Sequence, residues 1–426
     1  MIIKGDIIYT EKKEGYIVYE NSYLVAENGI IKGIYKNLPE KYKKKEIIDR
    51  TGKLIIPSFT DIHLHAPQYL NRGVGTDREL MDWLRIYTFP EEEKFGNIKY
   101  AEKVWKSLIN ELWECGSLHS VIFSSIHEKA TEKLIELFIE SGMSAYIGKV
   151  NMDRNTNDTY FENVEKGMEA TENLIKKYEG ISEKVKTIIT PRFAITCNEK
   201  SLKKQGKLSK KYKIPVQSHL NESFGEIEFT MSLFPQYENY SDIYNKNGLF
   251  GENGEPSIMA HCIHNKEEEV KLIKKNNVYP VHCPESNANL ISGIMDVRSF
   301  LDMDVPVCIA SDISGGHSLF LPKQIVLGVQ LSKMKARFEN NLSKVIKNSE
   351  AFYMATKNPG SFFGKTGSFE KGYSADFLVI NIENIIMDIE KRTVEEKLEK
   401  WLYIGSEKNI EERYIKGEII EKPFRN

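Results

Sequence analysis

From residue 53 onward, short apolar runs alternate with longer amphipathic, charge-rich segments. The runs are 53–64 (KLIIPSFTDIHL), 118–124 (LHSVIFS), 145–151 (AYIGKVN), 185–192 (VKTIITPR), 215–220 (PVQSHL), 257–262 (SIMAHC), 278–283 (VYPVHC) and 305–311 (VPVCIAS), and they predict eight strands. Helical spacing fills most of the intervals. Residues 100–114 carry Val104, Leu108, Leu112 and Trp113 on one face, 129–141 carry Leu134, Leu137 and Phe138, and 266–276 carry Val270 and Ile273. Eight such alternations predict a parallel sheet, either doubly wound or closed into a barrel. Polar residues gather at the C-terminal ends of most strands, where barrel active sites sit, which favours the barrel.

The ends of the chain read differently. Residues 1–53 are short strands and polar turns, with Glu27-Asn28-Gly29-Ile30 as a hairpin turn. After helical stretches at 321–348 and 350–356, GSFEKGYSADFLVINIENII returns to turn, strand, turn. The predicted α/β architecture is a (β/α)8 TIM-type barrel over 54–367. A small β-sandwich module is expected from the two terminal segments, 1–53 and 368–426. Two stretches break the rhythm, 71–97 and 232–256. They are expected to be long loops serving as lids, surface excursions or subunit contacts.

Composition narrows the partners. Lysine plus arginine is 59 against 61 aspartate plus glutamate, a net charge of −2. That argues against a general grip on nucleic acid or anionic lipid and for a small-molecule partner. No run approaches the ~18 apolar residues of a membrane span, and the N-terminus lacks the apolar core of a secretory signal. Five cysteines, Cys115, Cys197, Cys262, Cys283 and Cys308, contain no C-x-x-C, so reduced buried thiols in a cytoplasmic protein are expected.

The chain has nine histidines. His63 and His65 form H-x-H at the end of the first strand, and residues two apart on a strand point the same way. His219 ends the fifth strand, His261 the sixth, and Asp312 the eighth. All five groups should therefore share one rim of the barrel. Three histidines and a carboxylate suit Zn²⁺ or Fe²⁺ rather than Ca²⁺ or Mg²⁺. Glu222, three residues beyond His219, is a candidate proton shuttle. Other motifs fail. Gly73-Val74-Gly75 lacks the third glycine of a dinucleotide loop, and Gly364-Lys365-Thr366 has Pro359 where a P-loop needs glycine. Neither HExxH nor PCxxC occurs.

The segment P-S-F-T-D-I-H-L-H, the later strand-end histidines, the S-D at 311–312 and the late G-S-F-E-K-G-Y-S-A-D-F-L-V-I resemble the metal-dependent amidohydrolase superfamily over nearly the whole chain. Finer segments are similar to its guanine deaminase family. These are H-L-H-A-P-Q-Y (63–69), D-W-L-R-I-Y-T-F-P-E-E (82–92), T-P-R-F-A-I-T-C (190–197), Q-S-H-L-N-E (217–222) and V-H-C-P-E-S-N (281–287). Two departures stand out: Ser311 where threonine is common, and Asn71-Arg72-Gly73-Val74 after the Q-Y.

The resemblance implies one zinc per chain, with Fe²⁺ as the alternative, held by His63, His65, His219 and Asp312. It implies that His261 contacts the attacking water, that Glu222 shuttles protons, and that Gln68, Arg192 and Phe193 hold guanine. Arg192 would donate to O6, Gln68 would offer a donor and an acceptor, and Phe193 would stack or fix its loop. The expected reaction is hydrolysis of guanine at C2 to xanthine and ammonia. The competing readings are a related deaminase acting on a pterin, a triazine or adenine, and a non-catalytic barrel scaffold. A homodimer is expected from the long loops and barrel architecture.

Overall fold

The computed structural model describes residues 1–251, 254–385 and 391–425. Parts of the expected 232–256 loop and of the C-terminal module segment therefore lie outside the described residues. The N-terminal part forms β1 (Ile2–Tyr9), β2 (Ile17–Glu27), β3 (Ile30–Tyr35) and β4 (Ile48–Pro57). Asn28 and Gly29 join β2 to β3 with φ of 52° and 74°. A two-residue hairpin turn of this hand needs positive φ at both positions, which asparagine and glycine tolerate.

The barrel strands follow. They are β5 (Phe59–His65), β6 (Ser117–Phe123), β7 (Ser144–Gly148), β8 (Val150–Asn151), β9 (Val185–Thr187), β10 (Thr190–Pro191), β11 (Val216–Leu220), β12 (Ser257–His261), β13 (Val278–His282) and β14 (Cys308–Ile309). Strands β5-β6-β7-β9 and β11-β12-β13-β14 form two four-stranded parallel sheets. One seam between them is a parallel bridge from Ile189 to Val216. At the other seam, Asp312 N–H donates to the His63 carbonyl (3.0 Å) and His65 N–H to the Ile313 carbonyl (2.8 Å). Backbone hydrogen bonds thus set the register of the H-x-H pair against Asp312.

The chain ends in β15 (Phe377–Ile380), β16 (Ile410–Ile415) and β17 (Glu418–Ile419). These join the N-terminal strands in one seven-stranded sheet, ordered β17-β16-β15-β4-β1-β2-β3. The period of two along a strand decides which core each side chain enters. Ile55, Phe377 and Val379 face the module's own interior, with Ile3, Ile7 and Leu24. Leu54, Ile56, Leu378 and Ile380 face the large core shared with the barrel helices. His119 on β6 reaches across, with Nε2 3.3 Å from Asp376 just before β15.

Two expectations change. KLIIPSFTDIHL is one apolar run but two strands, broken at Ser58. Residues 54–57 pair with β1 and β15, so the barrel begins at Phe59 rather than residue 54. The stretches expected as loops contain helices. Residues Leu80–Trp83, Leu84–Thr88 and Phe89–Glu93 form successive helical turns, and Tyr240–Lys246 is a helix. Leu80, Trp83, Leu84 and Phe89 are buried in a cluster with Phe193 and Leu290. A run broken by Pro90 and flanked by charges hides that short apolar face.

Candidate active site

The H-x-H residues leave β5 side by side, 0% and 3% exposed, with ring centroids 5.1 Å apart. His65 Nε2 lies 3.0 Å from His219 Nε2. Asp312 Oδ1 is 3.1 Å from His63 Nε2 and 3.6 Å from His65 Nε2. His261 Nε2 is 3.7 Å from Asp312 Oδ2 and 3.4 Å from Glu222 Oε2. The five groups predicted to share one rim therefore converge, and Glu222 joins them. His261 and Asp312 have φ of 72° and 47°, and Asn221, beside Glu222, has 51°. Left-handed conformations of non-glycine residues cost energy and persist where surrounding structure holds them.

Outer contacts fix two of the rings. His219 Nδ1 donates to the Arg192 carbonyl at 2.6 Å, which leaves its Nε2 lone pair facing the cluster. His261 Nδ1 is 2.9 Å from Asn287 Oδ1, and the Asn287 amide also reaches His282 Nδ1 at 3.4 Å. Burial, helped for His65 and His219 by neighbouring charges, pushes His63, His65 and His219 below the ordinary histidine range. Burial also opposes charge on Asp312, but His63, His261 and His219 outweigh it and hold the carboxyl at about 2. Glu222 is lifted to about 7, mainly by burial. His261 is raised despite burial, because Glu222 and Asp312 face it.

This donor set fits a transition-metal ion. His63 Nδ1 and His65 Nδ1 are buried without a hydrogen-bond partner, and His63 Nε2 faces only the Asp312 carboxylate. His63, His65 and His219 offer ligand atoms within 4.8 Å of one another, as do His63, His261 and Asp312. Unprotonated imidazoles and an ionised carboxylate are the forms that bind zinc or ferrous iron.

A cavity opens beside the cluster. Leu80, Trp83, Leu84, Phe193 and Leu290 give apolar walls, and Gln68, Arg192, Glu222 and His261 give polar ones. Phe193 is 3% exposed and packed among the other apolar walls. Arg192 is neutralised by Glu92, with Nη1 at 2.8 and 2.6 Å from the two carboxylate oxygens. Gln68 departs from expectation. Its oxygen already accepts from the Ser314 N–H (3.1 Å) and hydroxyl (3.2 Å), and its nitrogen donates to Glu92 (2.8 Å). An amide oxygen has two lone pairs. Gln68 therefore keeps one N–H for a ligand and no acceptor.

The two departures from the family pattern also have structural accounts. The Ser311 hydroxyl and N–H both donate to Asp61. Arg72 pairs with Glu111 and stacks on Tyr69, its guanidinium 4.2 Å from the ring centre. Glu92 and Asn287 received no role from the sequence, although each is the last residue of a quoted segment, 82–92 and 281–287. Their position inside conspicuous segments was the available signal. Partners 100 residues away in the chain for Glu92, and 26 for Asn287, are visible only once the chain folds.

Comparison with known proteins gives the same neighbourhood. The model of the Amidohydrolase family matches residues 54–420. Guanine deaminase of Dictyostelium discoideum is 33% identical over 99% of this chain and 98% of its own length. Guanine deaminase of Rattus norvegicus is 33% identical over 86% of this chain and 83% of its own. A crystal structure of guanine deaminase from C. acetobutylicum with bound guanine in the active site superposes with a TM-score of 0.96, at 46% identity and 99% coverage of both chains. By its barrel, its convergent histidines and these matches, the chain belongs to the amidohydrolase family, among the guanine deaminases.

Proposed function

We propose that this chain hydrolyses guanine at C2 to xanthine and ammonia, with one zinc ion per chain. The observation that carries the reading is the meeting, in one cavity, of a three-imidazole-plus-carboxylate donor set with the buried donors of Arg192 and Gln68. Bound guanine in the 46%-identical C. acetobutylicum structure supports it.

His63, His65, His219 and Asp312 would hold the metal. Its contribution when bound is Lewis-acid chemistry that supplies hydroxide at neutral pH, where free water has a pKa of ~15.7. Arg192 donates to O6 of the purine, and the remaining N–H of Gln68 donates to an acceptor on the ring. Leu80, Trp83, Leu84 and Phe193 exclude water around the ring faces. Asp312 stays ionised and accepts the proton of the attacking water, which His261 orients. Attack at C2 places electron density on N3, and Glu222 donates a proton there. With a carboxyl near neutrality, Glu222 is populated in both forms at pH 7. It can therefore recover the proton of the new C2 hydroxyl and pass it to the departing amine, and the water proton held by Asp312 then returns to Glu222. General acid–base help of this kind contributes ~10²–10⁴-fold.

The chain is proposed to act in the cytoplasm as a homodimer. All five cysteines are free and buried, as a reducing compartment requires of none but permits. Among the described residues no helix is long and apolar enough to cross a membrane. The deciding experiment is ammonia release from guanine, with adenine, a triazine and a pterin in parallel, on protein analysed for metal and sedimented for mass. Turnover of guanine at about one zinc per chain is the expected result. Turnover of another ring instead would overturn the substrate, and a metal-free active protein would overturn the cofactor.

A further inference from the structure

We infer that Glu92, which lies outside the cavity wall, sets the substrate edge the enzyme accepts, by holding Arg192 and Gln68 as a pair of one-way donors. The inference rests on the guanine reading above and deepens it.

Glu92 sits on the short helix Phe89–Glu93 and is 0% exposed. Three parts of the chain converge on its carboxylate. Arg192 Nη1 donates to both oxygens, Gln68 Nε2 to Oε1, and the Tyr160 hydroxyl to Oε2 at 3.1 Å. A buried carboxylate is tolerated only when paired and hydrogen-bonded. Here the pairing leaves capacity to spare. Arg192 commits one nitrogen of its fork, and Gln68 commits one N–H. Both side chains line the cavity, and Glu92 does not.

The carboxylate and the Ser314 donors together decide which way round Gln68 sits. With the nitrogen toward Glu92, the oxygen meets the Ser314 donors. The reversed amide would set its oxygen against a carboxylate and its nitrogen against an N–H and a hydroxyl. Glu92 and Ser314 therefore make this wall of the cavity donor-only. Such a wall matches a ring edge bearing acceptors, as the 6-oxo edge of guanine does. It opposes an edge bearing a 6-amino group, whose hydrogens would meet donors. A site of buried donors rejects the wrong edge strongly, because its own groups are then left unpaired. Without the carboxylate, Gln68 is held at its oxygen alone by Ser314, and Arg192 is free to leave its fixed rotamer. Glu92 is thus a positioning residue for specificity, acting through the two side chains that touch the ring.

The test compares guanine with 2,6-diaminopurine, which carries a 6-amino group in place of the 6-oxo group. Kd by calorimetry and kcat/KM by ammonia release are measured for the wild type and Glu92→Gln. In the variant, guanine should lose about 10²-fold or more in kcat/KM, chiefly through KM, while 2,6-diaminopurine changes by less than about threefold. The selectivity ratio then collapses with bound metal unchanged. A general structural defect would lower both purines together and leave the ratio intact. An intact ratio overturns the inference, whatever the absolute activity. Tyr160→Phe removes one bond to the same carboxylate and serves if Glu92→Gln does not fold. It should move the ratio in the same direction by a smaller factor, and an unmoved ratio is again fatal. Failure of the wild type to release ammonia from guanine overturns the functional reading alone. The ratio of Kd values still decides the role of Glu92.

Discussion

Replacing Glu222 by Gln preserves the shape of a side chain that is 3% exposed and removes its capacity to exchange a proton. Its Oε1 accepts from the Ser292 hydroxyl at 3.0 Å, a bond that the glutamine oxygen can keep. Burial, partly offset by His261, brings the native carboxyl to about 7. Loss of general acid–base help of ~10²–10⁴-fold corresponds to about 3–5 kcal/mol of transition-state stabilisation. In Glu222→Gln, kcat for guanine should fall by that factor, with Kd shifted less than about tenfold and metal content unchanged. The assay is steady-state ammonia release at saturating guanine, with calorimetry for Kd. Turnover within tenfold of wild type would remove Glu222 as the shuttle.

The same substitution makes a stability prediction of opposite sign. The folded carboxyl titrates at about 7 against 4.5 in the reference state. Because the folded value is raised, its stabilising contribution is present at low pH and is lost as pH rises through about 7. At ~1.36 kcal/mol per unit, the shift corresponds to about 3 kcal/mol. In metal-free protein, Glu222→Gln should therefore be the more stable chain at pH 8, and the advantage should fade towards pH 4. Equal denaturant midpoints at pH 8 would refute the burial argument.

Three further outcomes are expected. Arg192→Ala should lose most of kcat/KM for guanine while keeping about one metal per chain. It leaves Glu92 buried against only Gln68 and Tyr160, a break of the kind that costs about 3–5 kcal/mol in denaturant unfolding. Burial alone would raise Asp376, but its bonds to His119, the Lys416 N–H and Ser374 hold it below the usual carboxylate range. Its stabilisation is therefore complete above the reference value of 3.8 and is lost as pH falls through the folded value. The stability gap between wild type and Asp376→Asn should shrink below that pH, and a constant gap would contradict this. Chelation should lower the melting temperature reversibly, since an ion at 1,000 times its Kd stabilises by about 4 kcal/mol. A melting curve indifferent to chelator and to added zinc would count against a metal centre.

Much of this was legible before folding. The eight strands and their terminal histidines follow from apolar runs and a period of two, so the convergence of residues 63, 65, 219, 261 and 312 could be read directly. What the chain hid has physical reasons. The strand boundary at Ser58 lies inside one apolar run, because both neighbouring sheets are buried and demand the same residue types. The turns of 80–93 are too short to show a helical period, yet they supply the cavity roof through Leu80, Trp83 and Leu84. Glu92 reads as a solvated charge beside Glu91 and Glu93 until Arg192 and Gln68 are brought onto it. The polarity of Gln68 depends on Ser314, which no spacing rule connects to it.

The seam between the first and last barrel strands also constrains the birth of the protein. His63 and His65 emerge from the ribosome early, and Asp312 roughly 250 residues later, an interval of roughly 12–50 s at ordinary synthesis rates. The backbone bonds from Asp312 to His63 and from His65 to Ile313 cannot form before then. A chain truncated anywhere before that point carries His63 and His65 without the seam that sets their register. The register of the H-x-H pair against Asp312 is thereby one of the last features of the site to be set, fixed only when the eighth strand has been made.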